Sequence, residues 1–195
     1  MNYYLFLDSS NTSLTVALAT EEKIIEETSY EAWQTQSEHM IPEINALLEK
    51  YQVQRNEIAG VVVSIGPGSY TGVRIAITIA KVMAVALNIP VYPVSALQIL
   101  KMNKKSSICL INARSDRSYI GVYENEKCLL EDQIMTNDEV KQYIREHPDF
   151  AICGNTSYLG LNGYKSDIAE EMLSLLKYLK PCPDSRALKP VYLKY

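Results

Sequence analysis

Two segments hold residues whose types and spacing could do phosphate chemistry. The first is Asp8 with the turn Ser9-Ser10-Asn11-Thr12-Ser13, which follows the apolar run Tyr3 to Leu7. The second is Gly66-Pro67-Gly68-Ser69-Tyr70-Thr71-Gly72. An acidic residue closing a strand, beside a turn whose backbone N–H groups approach an anion, is one way proteins handle phosphate. Here no glycine follows Asp8, and a Cβ at every turn position restricts positive φ and crowds such an approach. Asp8, Ser9, Ser10, Gly66, Gly68 and Ser69 therefore read as a degenerate phosphate loop. The competing reading is structural: Asp8 caps a tight turn, and Ser69 or Thr71 caps a helix. The glycine segment is no Walker loop, because no Gly-Lys-Ser/Thr follows. Its glycine spacing also fails the dinucleotide fingerprint.

Metal and nucleophile chemistry find little material. Only His39 and His147 are present, in different halves, so no HxxxH or HExxH pair is possible. Glu38 and Glu43 lie close enough in sequence to orient His39, although a polar helix face explains it as well. No GxSxG elbow occurs. Cys109, Cys128, Cys153 and Cys182 form no CxxC pair and match no zinc spacing; buried reduced thiols are the expectation. No metal or cofactor is expected. The net charge of −4 argues against a protein that grips RNA through its own phosphate contacts. The chain shows no basic n-region, and its longest apolar helix carries Arg74 and Lys81 and reads as too short for a bilayer. A cytoplasmic, membrane-free protein is expected.

The elements that must position these residues follow from periodicity. Residues 3–7, 14–18 and 24–30 read as three antiparallel strands, with a hairpin turn at Glu21-Glu22-Lys23. Met40, Ile44, Leu47, Leu48 and Tyr51 recur at helical spacing, with Pro42 either kinking the helix or marking its first turn. Ile58 to Ile65 is a buried strand. A helix then spans 73–87, a short strand 91–94, and a short helix capped by Ser95 ends near Met102. Residues 103–106 read as a linker.

The second half reads as a repeat of the first, the alternative being chance similarity of two βββαβα units. Leu5-Phe6-Leu7-Asp8 matches Cys109-Leu110-Ile111-Asn112, and Gly154-Asn155-Thr156-Ser157-Tyr158-Leu159-Gly160 matches the 66–72 loop in four of seven places. Asp8 to Gly66 is 58 positions and Asn112 to Gly154 is 42, so the second copy is 16 residues shorter. The expected fold is α/β with two ribonuclease-H-like lobes, a duplicated βββαβα unit of the actin, sugar-kinase and Hsp-ATPase superfamily. The lobes are expected at 1–102 and at 107–195, the second shortened.

The helix 73–87 is the most informative element. Only Arg74, Thr78 and Lys81 are polar, and one sheet face needs an apolar arc of only somewhat over ~100°. Such a helix should be covered on a second side by another helix or another protein. Paired with the preceding helix it would make a self-complementary, dimer-capable surface. The expected interface takes Met40, Ile44 and Leu48 from the first helix. From the second it takes Tyr70, Val73, Arg74, Ile75, Ile77, Thr78, Ala80, Lys81 and Ala84.

Gly66 to Ile75 closely resembles the signature of the TsaB (YeaZ) family. Leu5 to Ser10, Glu38-His39 with Ile41-Pro42, Ile111-Asn112-Ala113-Arg114 and the tail Pro190-Val191-Tyr192-Leu193-Lys194 also resemble its motifs. Asn112, where Asp is frequent, and Ala76, where Gly is frequent, depart from the pattern, and the second lobe is short. The resemblance implies a paralogue of the TsaD threonylcarbamoyl transferase, which acts on adenosine in tRNAs reading ANN codons through an HxxxH metal site. It implies a non-catalytic dimerisation subunit without that histidine pair, which docks on the transferase and a TsaE-like ATPase through its first two helices. Such a subunit homodimerises alone and touches tRNA only indirectly. The older label of the family, a glycoprotease, finds no metal or nucleophile here. The alternative is a nucleotide-binding phosphotransferase or ATPase of the same fold, using Asp8 and the glycine loop.

Overall fold

The structure, a computed structural model, describes residues 2–193. The chain runs β1 (Tyr3–Asp8), β2 (Ser13–Ala19), β3 (Ile24–Glu31), α1 (Gln36–Lys50), β4 (Ile58–Ser64), α2 (Tyr70–Leu87) and β5 (Val91–Val94). It continues with β6 (Ser107–Arg114), β7 (Arg117–Glu124), β8 (Lys127–Thr136), α3 (Asn137–Glu146), β9 (Ala151–Cys153) and α4 (Ile168–Leu176). One sheet has the order β3-β2-β1-β4-β5 and the other β8-β7-β6-β9. In each, the first three strands are antiparallel and the fourth joins the first in parallel. This is a duplicated ribonuclease-H-like architecture, two lobes that share the order of their first four strands. Gly66 and Gly154, matched by the repeat, adopt the same left-handed backbone, with φ of 99° and 100°.

The shortening of the second copy has a structural address. α3 has 10 residues against 15 in α1, and β9 has 3 against 7 in β4. Where α2 follows the first glycine loop, only a single 3-10 turn, Ser157–Leu159, follows the second. A lone parallel bridge from Cys153 to Tyr164 stands in the place of β5.

The first sheet is buried on both faces at its centre, which is why β1 and β4 read as nearly continuous apolar runs. Leu5, Leu7, Val61 and Val63 pack with α1 and α2, while Phe6 and Val62 pack with Ala169, Met172 and Leu175 of α4. Thus α4 and the tail return to the first sheet. Cys182 N–H donates to the Val91 carbonyl at 2.8 Å, and Val191 N–H to that of Ile65 at 2.7 Å. Lys194 of the tail motif lies outside the described residues.

Three local expectations are refined. Pro42 lies inside α1, which begins at Gln36 rather than near Met40. The helix expected after Ser95 is only a 3-10 turn, Gln98–Leu100, because Ser95 Oγ satisfies the amides of Leu97 and Gln98 within one turn. α2 begins at Tyr70 and has 18 residues, so by length and composition it is long and apolar enough to cross a membrane, contrary to the shorter helix expected. In this fold one of its sides is packed on the first sheet.

A buried ion pair fixes α4 to the joint between the lobes. Lys101 Nζ meets Glu171 Oε2, with side chains only 2% and 7% exposed. Removing one partner leaves an uncompensated charge in a desolvated site, which costs about 3–5 kcal/mol. Lys101→Met should lower unfolding free energy in urea by that amount, and adding Glu171→Leu should restore much of it.

Candidate docking face and interlobe cleft

Asp8 is buried at the end of β1, beside Ser64 at the end of β4. Ser64 Oγ donates to its carboxylate, and Ser10 N–H donates to the same oxygen at 3.0 Å, so Asp8 caps the β1–β2 turn. Burial raises its pKa, against the lowering effect of these two donors. The turn folds onto the glycine loop. Ser69 N–H donates to the Ser10 carbonyl at 2.7 Å, and Ser9 Oγ to the Gly72 carbonyl at 2.7 Å. Ser69 is the helix cap, its Oγ accepting from Gly72 N–H at 3.2 Å.

The glycines serve this contact. A Cβ on Gly68 would stand 2.1 Å from the Ser10 carbonyl oxygen, and one on Gly72 1.9 Å from that of Ser9. Gly66, in the left-handed region, lies against the Val191 carbonyl. The structure thus brings all six residues of the degenerate phosphate loop together, but bonds the two segments to each other. The amides of Ser69 and Gly72 are taken up within the joint, by the Ser10 carbonyl and by Ser69 Oγ.

Asp8 and Ser10 also border a cleft of about 440 Å³ between the lobes, with Glu27, Ser29 and Glu31 on one wall and Asn155, Thr156 and Lys165 on the other. Three acidic side chains, Asp8, Glu27 and Glu31, face one ammonium, so the cleft offers no surplus of positive charge to a polyphosphate. Glu27 is pushed up to about 7, first by burial and then by its hydrogen bond to Asp167 and the charges of Asp167 and Glu170.

The face of α2 divides cleanly. Val73, Ala76, Ile77, Ala80 and Ala84 turn inward and are at most 4% exposed. The expected interface therefore needs correction. Met40, Ile44, Val73, Ile77, Ala80 and Ala84 belong to the chain's own core, and Leu48 packs partly against it. Tyr70, Arg74 and Thr78 are exposed, and Ile75 is half-buried. Lys81 is half-buried as well, its Nζ donating to the Leu188 carbonyl of the tail at 3.2 Å. Residues missing from the expectation complete the outer surface: Val82 is 62% exposed, Val85 57% and Ile41 of α1 52%. Once the structure gives the inward set 73, 76, 77, 80, 84, helical geometry places 71, 75, 78 and 82 opposite, but the nearly uniform apolar sequence does not mark which arc is inward.

At the start of α2, Tyr70 stacks on Tyr192 of the tail, ring centroids 5.2 Å apart. Arg74 lies over the Tyr70 ring at 5.0 Å and donates to its hydroxyl. Next to it a groove of about 720 Å³ runs between the starts of α1 and α2 and the β6–β7 turn. Arg114, from the second lobe, reaches over Trp33 of the first at 5.9 Å.

A sequence model of the TsaD family, tRNA N6-adenosine threonylcarbamoyltransferase, matches residues 27–147. The chain is 36% identical over 140 residues to the tRNA threonylcarbamoyladenosine biosynthesis protein TsaB of Bacillus subtilis (strain 168), covering 70% of this chain and 61% of that protein. The chain belongs to the TsaB (YeaZ) family. The TsaB of Buchnera aphidicola subsp. Schizaphis graminum is 30% identical over 132 residues, 65% of this chain and 62% of that protein. The matches thus span about three fifths of the length of these curated relatives. A solved structure described as YeaZ from Pseudomonas aeruginosa shares the fold, with a TM-score of 0.80 at 24% identity over 99% of this chain and 100% of that one.

Within this family member both histidines have packing partners. His39 meets Tyr30 edge-on at 5.9 Å, and Tyr30 donates to Glu43 Oε1 at 2.9 Å. His147 stacks on Tyr143 at 4.1 Å, its Nδ1 2.8 Å from the Tyr143 carbonyl.

Two predictions follow the geometry. Gly72→Ala should destabilise the fold by about 1–3 kcal/mol or more, since backbone must move to admit the methyl group; thermal or urea unfolding reads this directly. Glu27 holds a proton in the folded state that its unfolded form releases from about pH 4.5 upward. Its contribution to stability therefore falls as pH rises from about 4.5 to about 7. Urea titrations across that window should show a flatter pH dependence for Glu27→Gln than for the native chain.

Proposed function

We propose that this chain is a non-catalytic docking subunit of a tRNA-modifying assembly, paired through the outer face of α1 and α2 with a TsaD-like threonylcarbamoyl transferase. The observation that carries the reading is α2 itself. It is apolar over most of its circumference, yet its outward residues Val82 and Val85 stay open to solvent in the single chain. Monomeric proteins rarely leave such surface contiguous unless it is used. The product named for the relatives, threonylcarbamoyladenosine in tRNA, supplies the pathway. The acidic net charge supports indirect contact with tRNA. A TsaE-like ATPase completes the proposed assembly in the cytoplasm, and the same face pairs two copies when the transferase is absent.

The second reading, a phosphotransferase or ATPase, draws on Asp8 at the lip of the interlobe cleft. The interlocked glycine loop and a cleft with three acidic side chains and one lysine weigh against it. Calorimetry with ATP on the lone chain separates the two: tight binding with turnover favours the enzyme.

Co-expression with a transferase, followed by size exclusion, tests docking. Val82→Arg and Val85→Glu should change stability by no more than about 0.5 kcal/mol, as exposed sites do, and should abolish co-elution. Ala80→Arg is unsuitable as an interface probe, because Ala80 is fully buried and the change should unfold the chain. Full-yield co-elution of both surface variants would refute the assigned face.

A further inference from the structure

Cys109 lies in β6 and Cys153 in β9, neighbouring parallel strands, and the two are direct register partners. Residues in register on adjacent strands project to the same side of a sheet, and both cysteines belong to one packed cluster with Ala96, Leu97 and Tyr123 at the joint between the lobes. Strand spacing of about 4.8 Å falls within the Cα separation a disulfide accepts, about 4.4–6.8 Å. Both thiols are free and fully buried. Cys128 and Cys182 have no cysteine opposite them in any strand pairing among the described residues.

We propose that Cys109 and Cys153 are an oxidation site that closes to a reversible intrachain disulfide, tying β9 to β6. β9 is the edge strand of its sheet and has three residues, held on its other side by the single bridge to Tyr164. Short edge strands open locally at low free-energy cost, and this opening admits a small oxidant. The thiols are also unlike. A hydrogen bond from Cys109 lowers the Cys153 pKa, while burial pushes Cys109 up. Cys153 is thus the attacking sulfur.

With hydrogen peroxide as oxidant, the Cys153 thiolate attacks one peroxide oxygen. The O–O bond breaks, and the product is a sulfenic acid plus hydroxide, which takes a proton to become water. Cys109 then attacks the sulfenic sulfur, the S–S bond forms, and a second water leaves with the Cys109 proton. Two thiols lose two electrons and two protons, and one peroxide becomes two waters. A dithiol reverses the change by exchange. Such a link would fix the strand from which the Gly154 loop enters the interlobe cleft. In a reducing compartment a disulfide of this kind is a sensing element rather than a permanent staple.

The test uses the full native chain with a small excess of peroxide, quenching by N-ethylmaleimide and peptide mass spectrometry without reduction. The expected product joins the peptides of Cys109 and Cys153, is two hydrogens lighter than their sum, and disappears with dithiothreitol. Circular dichroism should remain native throughout. Cys109→Ser and Cys153→Ala should each eliminate the product. The proposal is overturned if both cysteines are recovered alkylated or singly over-oxidised, if the linked peptides carry Cys128 or Cys182, or if linkage appears only in urea.

Discussion

Helix α2 uses its small and β-branched residues to lie close on β1 and β4, with Ala76, Ala80 and Ala84 at the contact. A helix on a sheet can bury only one arc. α1 covers one flank, and the tail, through Leu188 and Lys81, covers another. The arc that remains carries Thr71, Thr78, Val82, Val85 and Ala86, with Ile75 half-buried among them. The rest of the molecule follows from that constraint. β4 and the glycine loop set the entry of α2, and the β1–β2 turn is pinned onto that entry through Ser9 and Ser10. Gly68 and Gly72 are needed because two backbone segments approach there. What resembles a phosphate cradle in one dimension is a joint in three.

Magnitudes limit what the open arc can do alone. Burying a Val, Ile or larger side chain fully contributes about 1.5–3 kcal/mol. Ile41, Tyr70, Val82 and Val85 are already roughly half buried, so together they offer about 3–6 kcal/mol. Association costs an estimated 4–15 kcal/mol in lost freedom and ordering. These four side chains therefore reach only the low end of that cost, and an interface of standard size, about 800 Å² per partner, would have to draw on surface around them as well. Arg74, held over Tyr70, places a guanidinium at the rim, where charge contributes register and rate more than affinity.

Much of the fold was legible because the signals were local. Strand alternation, the hairpin at Glu21 to Lys23 and the repeat of Leu5–Asp8 in Cys109–Asn112 each depend on neighbouring residues, and the matched backbone at Gly66 and Gly154 bears the repeat out. The interface was harder. Composition showed that α2 had too much apolar surface, but an almost uniformly apolar helix hides its own phase, so core residues such as Ala80 and Ile77 were assigned outward. The return of α4 to the first sheet, and the Tyr192 contact with Tyr70, join residues more than a hundred positions apart and leave no periodic trace. The turn after Asp8 was ambiguous for a similar reason. Glycine spacing cannot say whether a phosphate or a carbonyl approaches, and here the carbonyls of Ser9 and Ser10 do.

The most direct measurement is hydroxyl-radical footprinting of the side chains with and without the transferase. The account predicts that labelling of Ile41, Tyr70, Val82 and Val85 falls together when the partner is added, while Leu129 on β8, 49% exposed, is unchanged. Unaltered labelling of those four residues in a complex that has demonstrably formed would contradict it.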